Sequence, residues 1–154
     1  MSNHRELRVR PIVNGTVIDH ILAGQAINVL RILGITGVSD AVVSMAMNVP
    51  SIILGHKDIV KIENRELEEK EVDKISLISP SASINIIRNF EVVDKYHVEM
   101  PSIVEGMVKC TNPNCISNTN EPVTSKFVVK TDPIRLRCLY CEHVISEKIA
   151  EYLL

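Results

Sequence analysis

All four cysteines of the chain fall in two short clusters, Cys110-Thr-Asn-Pro-Asn-Cys115 and Cys138-Leu-Tyr-Cys141, with twenty-two residues between them. No other feature constrains the fold as tightly. Two turns that each present two thiolates can close a tetrahedron around one Zn²⁺, with bonds of about 2.3 Å. Four thiolates leave no coordination position for water, so the expected metal is one structural zinc per chain, not a catalytic one. The alternatives are disulfides or separate buried thiols. Disulfides need an oxidising compartment, whereas Met1-Ser-Asn-His-Arg-Glu6 leads into polar, charged sequence with no apolar signal core.

The cysteines also divide the chain. Residues before about Val98 contain none and carry enough aliphatic side chains for a metal-free core, while the last fifty-odd residues sit near the size at which a staple becomes necessary. Met100-Pro101-Ser102 is the expected boundary, giving domains of 1–99 and 100–154. The formal net charge of −2 supplies no general basic field, and 3% aromatic content without Trp leaves few platforms for stacking bases. A nucleic-acid partner is therefore not expected. Apolar runs such as Ile52-Ile-Leu54 fall far short of the roughly 20 residues that span a bilayer, and the expected setting is a soluble, cytoplasmic protein without a membrane partner.

Periodicity organises the first domain. Arg8–Val13 and Thr16–Ile21 are β-rich runs around Asn14-Gly15, the dipeptide that most favours a hairpin. Ala26, Ile27, Leu30 and Leu33 recur at helical spacing, with Gly34 as a stop. Residues 41–48 and 58–63 read as strands around a loop holding Pro50 and Gly55. The charged run Glu66–Lys74 reads as a solvated helix with a weak stripe of Leu67, Val72 and Ile75, and residues 82–87 and 90–96 follow as strands. This order predicts an α+β fold of the ferredoxin-like kind, two helices on one face of an antiparallel sheet. Beyond the boundary, Val104–Lys109, Lys126–Lys130 and Ile134–Cys138 predict a small all-β four-cysteine module, with a short helix over 145–154.

The chain has no nucleophile elbow, P-loop or His-Glu-x-x-His, and a closed zinc site cannot activate water, so catalysis is not expected. What remains is a binder. Arg10, His20, Lys57, Lys61 and Lys95 converge if the sheet is drawn as above; Lys61, alternating with Ile59, Val60 and Ile62, has the best-defined position for meeting a phosphate.

Asn14-Gly-Thr-Val-Ile-Asp-His-Ile21, Lys57-Asp-Ile-Val-Lys-Ile-Glu-Asn64, Asn89-Phe-Glu-Val-Val93 and the four-cysteine pattern together resemble the regulatory chains of aspartate carbamoyltransferase, over nearly the whole length. The resemblance implies a non-catalytic subunit of pyrimidine biosynthesis that binds the nucleotide effectors CTP, ATP and UTP. It further implies a regulatory-chain homodimer and docking on the catalytic chain through the zinc domain. Carried over by position, the nucleotide contacts fall on Val9, Arg10, Pro11, Ile12, Val17, Asp19, His20, Lys61, Asn85, Ile87, Phe90, Val92 and Lys95. Asn112, Asn114 and Glu142 fall where family members touch the catalytic chain, and Cys110, Cys115, Cys138 and Cys141 hold the zinc. The competing readings are a zinc-containing nucleic-acid-binding protein and a structural adaptor, since ferredoxin-like sheets and four-cysteine ribbons also occur among nucleic-acid binders.

Overall fold

Strict alternation over Lys57–Glu63 sends Asp58, Val60 and Ile62 to one face of a strand and Lys57, Ile59 and Lys61 to the other, and the first set is wholly buried. In the computed structural model, which describes residues 11–38 and 40–154, this strand is the second in a sheet of five. The strands are β1 (Gly15–Leu22), β2 (Val43–Ser51), β3 (Gly55–Glu63), β4 (Ser83–Arg88) and β5 (Glu91–His97). They lie in the order β2-β3-β1-β4-β5, every pair antiparallel. Two helices cross over between strands, α1 (Ala26–Ile32) after β1 and α2 (Glu69–Ile78) after β3. That is the expected ferredoxin-like arrangement, with β5 added beside β4.

One core lies under the helices. Ile18, Ile21, Val60, Ile62, Ile84 and Ile86 of the sheet meet Ala26, Val29 and Leu33 around α1 and Val72, Ile75 and Ile78 of α2. Helical spacing and the stop at Gly34 (φ 75°) behave as expected for α1, where Gly34 supplies a left-handed conformation at low cost. The second helix starts and ends later than its charged run suggested. Its first turn is tied by the Glu68 amide donating to the Glu71 carboxylate (2.9 Å), and its buried stripe is Val72, Ile75, Leu77 and Ile78.

The Asn14-Gly15 hairpin does not form within the described residues. Residues 11–14 make no strand; instead the Val13 carbonyl accepts from the Phe90 amide (2.9 Å) and the Asn14 carbonyl from the Asn64 amide (2.9 Å). The entering chain thus closes two corners at the end of the sheet, and those contacts outweigh a local turn. Arg8, Val9 and Arg10 lie outside the described residues.

Strands β6 (Ile103–Glu105), β7 (Lys126–Lys130), β8 (Arg135–Cys138) and β9 (Val144–Ile145) form a second antiparallel sheet in that order. Its core gathers Val104, Val108, Phe127, Leu136 and Ile145 around the cysteines. The expected terminal helix is only a 3₁₀ turn at Ile149–Tyr152, because Leu153 leaves it to bridge Val108. That end segment also joins the two cores. Ile149 and Leu153 pack against both, Leu77 of α2 belongs to the second, and the Lys74 ammonium donates to the Leu154 oxygen (2.6 Å). Among the described residues no helix is long and apolar enough to cross a membrane.

Candidate functional sites

The first site is metallic. Cys110 and Cys115 bracket a turn in which the Asn112 carbonyl accepts the Cys115 amide (3.0 Å) and the Asn112 side-chain oxygen the Asn114 amide (3.0 Å). Cys138 and Cys141 bracket a second, closed by the Glu142 amide donating to the Cys138 carbonyl (3.0 Å) with Glu142 at φ 64°. The two turns bring all four sulfurs within 4.8 Å of one another. Cys110 to Cys141 is 3.5 Å and Cys115 to Cys138 is 3.6 Å. A tetrahedron with 2.3 Å bonds has edges of about 3.8 Å, so the sulfurs already stand close to the geometry that zinc requires.

Proton affinity points the same way. Burial pushes the Cys110 thiol up to about 12, and the neighbouring thiols of Cys141 and Cys138 add to the shift. Burial likewise raises Cys138, with the Cys115 and Cys141 thiols contributing. At Cys141 burial acts upward too, but the His143 amide, the Asn112 side chain and the other thiols outweigh it and bring the group down to about 6. Packed together, these thiols cannot all ionise unless a cation compensates them, and a divalent metal does so. Asn112 is half-buried between the turns, whereas Asn114 and Glu142 are exposed, Glu142 3.4 Å from Arg137. Exposed Ile116, Leu139 and Tyr140 flank them at the metal end of the domain.

The second site is the sheet face that carries no helix. Cross-strand pairing sets Lys61 opposite Val17, Val17 opposite Asn85 and Asn85 opposite Lys95, so these four make one row across β3, β1, β4 and β5. One row toward the β1 amino end, Gly15 pairs with Ile87, and Ile87 with Val92. Exposed Phe90 (φ 69°) turns between β4 and β5 there, its amide donating to the carbonyl of the entering Val13. One row the other way, Asp19 pairs with Ser83, and Ser83 with His97. A β-bulge between Ile18 and Ile21 puts His20 at φ 55° and directs its Nδ1 to the Ser83 hydroxyl (3.1 Å), 4.0 Å from the Asp19 carboxylate.

The charges of this face are coupled. Lys57, one of the cations expected to converge on this face, is held by Asp19 (2.9 Å). Burial acts to raise Asp19, but the Lys57 ammonium and the His20 amide prevail and lower it. Burial lowers Lys61, and the Asp19 carboxylate pulls it partly back. The Asn85 amide donates to the Val17 carbonyl (3.2 Å), which fixes that side chain against β1. The face therefore runs from an apolar corner at Ile87, Phe90 and Val92, through two lysines, to a polar corner at Asp19, His20 and Ser83. Of the thirteen contacts carried over by resemblance, Val9 and Arg10 lie outside the described residues; Val17, Asp19, His20, Lys61, Asn85, Ile87, Phe90, Val92 and Lys95 lie on this face or at its apolar corner, and Pro11 and Ile12 precede Val13, whose carbonyl meets the Phe90 amide.

Sequence reasoning missed Asp58 and Ser83. Asp58 is fully buried and takes three backbone amides, Gly24 (2.9 Å) and Ala26 (3.0 Å) on Oδ2 and Asn48 (2.8 Å) on Oδ1. The signal was present in its phase, which matches Val60 and Ile62.

Comparison with known proteins joins the two sites in one family. Residues 7–99 match the family described as aspartate carbamoyltransferase regulatory chain, allosteric domain, and residues 102–151 match that described as its metal binding domain. A curated relative from Methanocella arvoryzae, named aspartate carbamoyltransferase regulatory chain, is 63% identical over 156 residues, covering 100% of both chains. A relative of the same name from Methanothrix thermoacetophila is 61% identical, covering 97% of this chain and 98% of its own. One from Haloarcula marismortui is 57% identical, covering 99% and 97%.

Proposed function

This chain belongs to the family of aspartate carbamoyltransferase regulatory chains, and from that membership we propose that its helix-free sheet face binds a nucleoside triphosphate. The chain is a non-catalytic subunit of a pyrimidine-biosynthesis enzyme, with one structural zinc, and its partner is the catalytic chain. In our reading residues 1–99 receive the effector and residues 100–154 dock. A cytoplasmic setting suits the zinc, since thiols stay reduced there.

The observation that carries the nucleotide reading is the row Lys61–Val17–Asn85–Lys95. Two ammonium groups on one sheet face suit a polyphosphate, and the adjoining apolar corner of Ile87, Phe90 and Val92 suits a base. Backbone groups of Pro11 and Ile12 border that corner, while Asp19, His20 and Asn85 supply polar contacts. CTP, ATP and UTP share this chemistry. Binding biases an assembly with two quaternary states only through differential affinity, typically about 1–3 kcal/mol of coupling. The end segment Ile149–Leu154, packed on both cores, is a route from one domain to the other. Asn112, Asn114 and Glu142, held on the metal turns, dock on the catalytic chain.

A regulatory homodimer forms most economically through β2, an edge strand of its sheet that exposes Met45 and Met47, with Val42 and Ile52 exposed beside it. Isothermal titration of the zinc-loaded chain with CTP, ATP and UTP tests the central claim. Lys61→Ala should weaken binding by about tenfold or more, the worth of one charge-assisted contact. Unchanged affinity in that variant would refute the assignment of the face. Substrate saturation curves of the reconstituted enzyme that superimpose with and without nucleotide would refute the regulatory role given to it.

A further inference from the structure

On the helix-free face, β4 is a low floor between two taller walls. It contributes Ser83 and Asn85 there, and both are tied down: the Ser83 hydroxyl, of a fully buried residue, lies 3.1 Å from His20 Nδ1, and the Asn85 amide donates to the Val17 carbonyl (3.2 Å). His20 on β1 stands on one side. Its carbonyl accepts the Ser81 hydroxyl (2.7 Å), and with Nδ1 engaged its Nε2 is the nitrogen left for a ligand. On the other side is β5, where Lys95 pairs with Asn85 and His97 with Ser83. Two residues apart on one strand, Lys95 and His97 share this face. Both are exposed, and among the described residues neither side chain has a hydrogen-bond or ion-pair partner. The two walls stand two strand spacings apart, roughly 10 Å.

The length of this trough bears on what fills it. From Ile87 at the apolar corner to Ser83 is four residues along β4, about 13 Å at the rise of an antiparallel strand. A base set against Ile87, Phe90 and Val92 brings the inner phosphates beside Asn85 and Lys95. The end of an extended triphosphate then arrives beside Ser83, between His20 and His97.

We propose that His97, facing His20 across the trough, binds the last phosphate of the effector, so that the face selects nucleoside triphosphates over di- and monophosphates. This rests on the nucleotide reading of the sheet face and adds to it a residue that senses phosphate length. An imidazole carries one N–H when neutral and two when charged, so His97 can donate to a phosphate oxygen in either state. The carboxylate in this row, Asp19, is engaged by the Lys57 ammonium (2.9 Å) and the His20 amide (2.6 Å) and does not compete for His97. Asp94 pairs with Ile86, a core residue, and belongs to the opposite face. A diphosphate stops short of the row: it keeps the Lys95 ammonium and loses the imidazole.

Isothermal titration of the full zinc-loaded chain with ATP, ADP and AMP tests the assignment. His97→Ala should weaken ATP about five- to tenfold, less than a buried charge-assisted contact because His97 is exposed, and should leave AMP unchanged. His97→Arg, which keeps a donor at the same place, should restore the preference for ATP. Phosphorus NMR of bound ATP should show the γ-phosphate signal, and not the α-phosphate signal, altered by His97→Ala. Equal losses for ATP and AMP in that variant, no loss for ATP, or a parent that binds ATP and AMP alike would overturn the role of His97. The sheet face itself would still stand if Lys61→Ala weakened ATP. A parent that binds none of the three, or a Lys61→Ala variant that binds ATP as the parent does, would bring down the sheet reading and this inference with it.

Discussion

Replacing Asp58 by Asn changes no volume, yet it should be among the most damaging single substitutions in the first domain. The carboxylate is fully buried and joins three elements: β3, the start of α1 through Gly24 and Ala26, and the β2 irregularity at Asn48. An amide can present only one acceptor. Its best rotamer turns the carbonyl to Gly24 and Ala26 and sets the NH₂ against the Asn48 amide, donor facing donor. Two charge-assisted bonds of about 1.5–3 kcal/mol each fall to neutral ones of about 0.5–1.5, and the part-buried bond from the amide of exposed Asn48 is lost altogether. Removing a desolvated charge offsets part of this. The net loss should be about 2–4 kcal/mol, a large share of the 5–15 kcal/mol typical of a folded protein. Urea unfolding of the zinc-loaded chain followed by circular dichroism measures it, with zinc content as the control that the second domain stays intact. Hydrogen exchange should quicken first at Gly24, Ala26 and Asn48. A loss under about 1 kcal/mol, or unchanged exchange at those amides, would mean that the three bonds are not what holds α1 to the sheet.

Other perturbations separate the two domains. Chelating the zinc should abolish assembly with catalytic chains before it affects binding at the sheet face; an assembled complex that survives metal removal contradicts the docking role of the cysteine turns. Zinc affinity of the metal-free chain should rise with pH across the neutral range, because zinc must displace protons that burial holds on Cys110 and Cys138; competition with a chelator at pH 6 and pH 8 reads it. Lys57→Gln removes the ion pair that helps hold Asp19 below its usual range. The stability Asp19 contributes is present above its unfolded pKa and lost as pH falls through the lowered folded one. The variant should therefore be less stable than the parent near neutral pH, and the gap between the two should close as acid titrates the carboxylate; a gap that stays constant from pH 7 down to pH 2 would contradict the assignment. Leu77→Ala, cutting the α2 side chain buried in the second core, should destabilise by about 2–5 kcal/mol and weaken effector response without weakening nucleotide binding.

What the sequence revealed depended on the range over which each feature is determined. Cysteine pairs are local: the turn that presents two sulfurs is written within six residues, and only the meeting of two such turns required the fold. Lys61 and Lys95 are the opposite case, because their common row is set by the register of three strand pairs and two helix crossovers. Family resemblance could name them, but spacing could not align them. Asn14-Gly15 failed as a hairpin signal because a local turn of modest strength competed with amides at Asn64 and Phe90 brought there by the whole sheet. Asp58 was legible in principle: a charge in phase with Val60 and Ile62 had either to break the strand or to find buried donors. It found the amides of α1 and β2, so the polar residue that interrupts the apolar face is also the one that fixes the helix layer over it. The opposite face, where Val17, Lys61 and Asn85 lie, is thereby left uncovered by helices and available to a ligand.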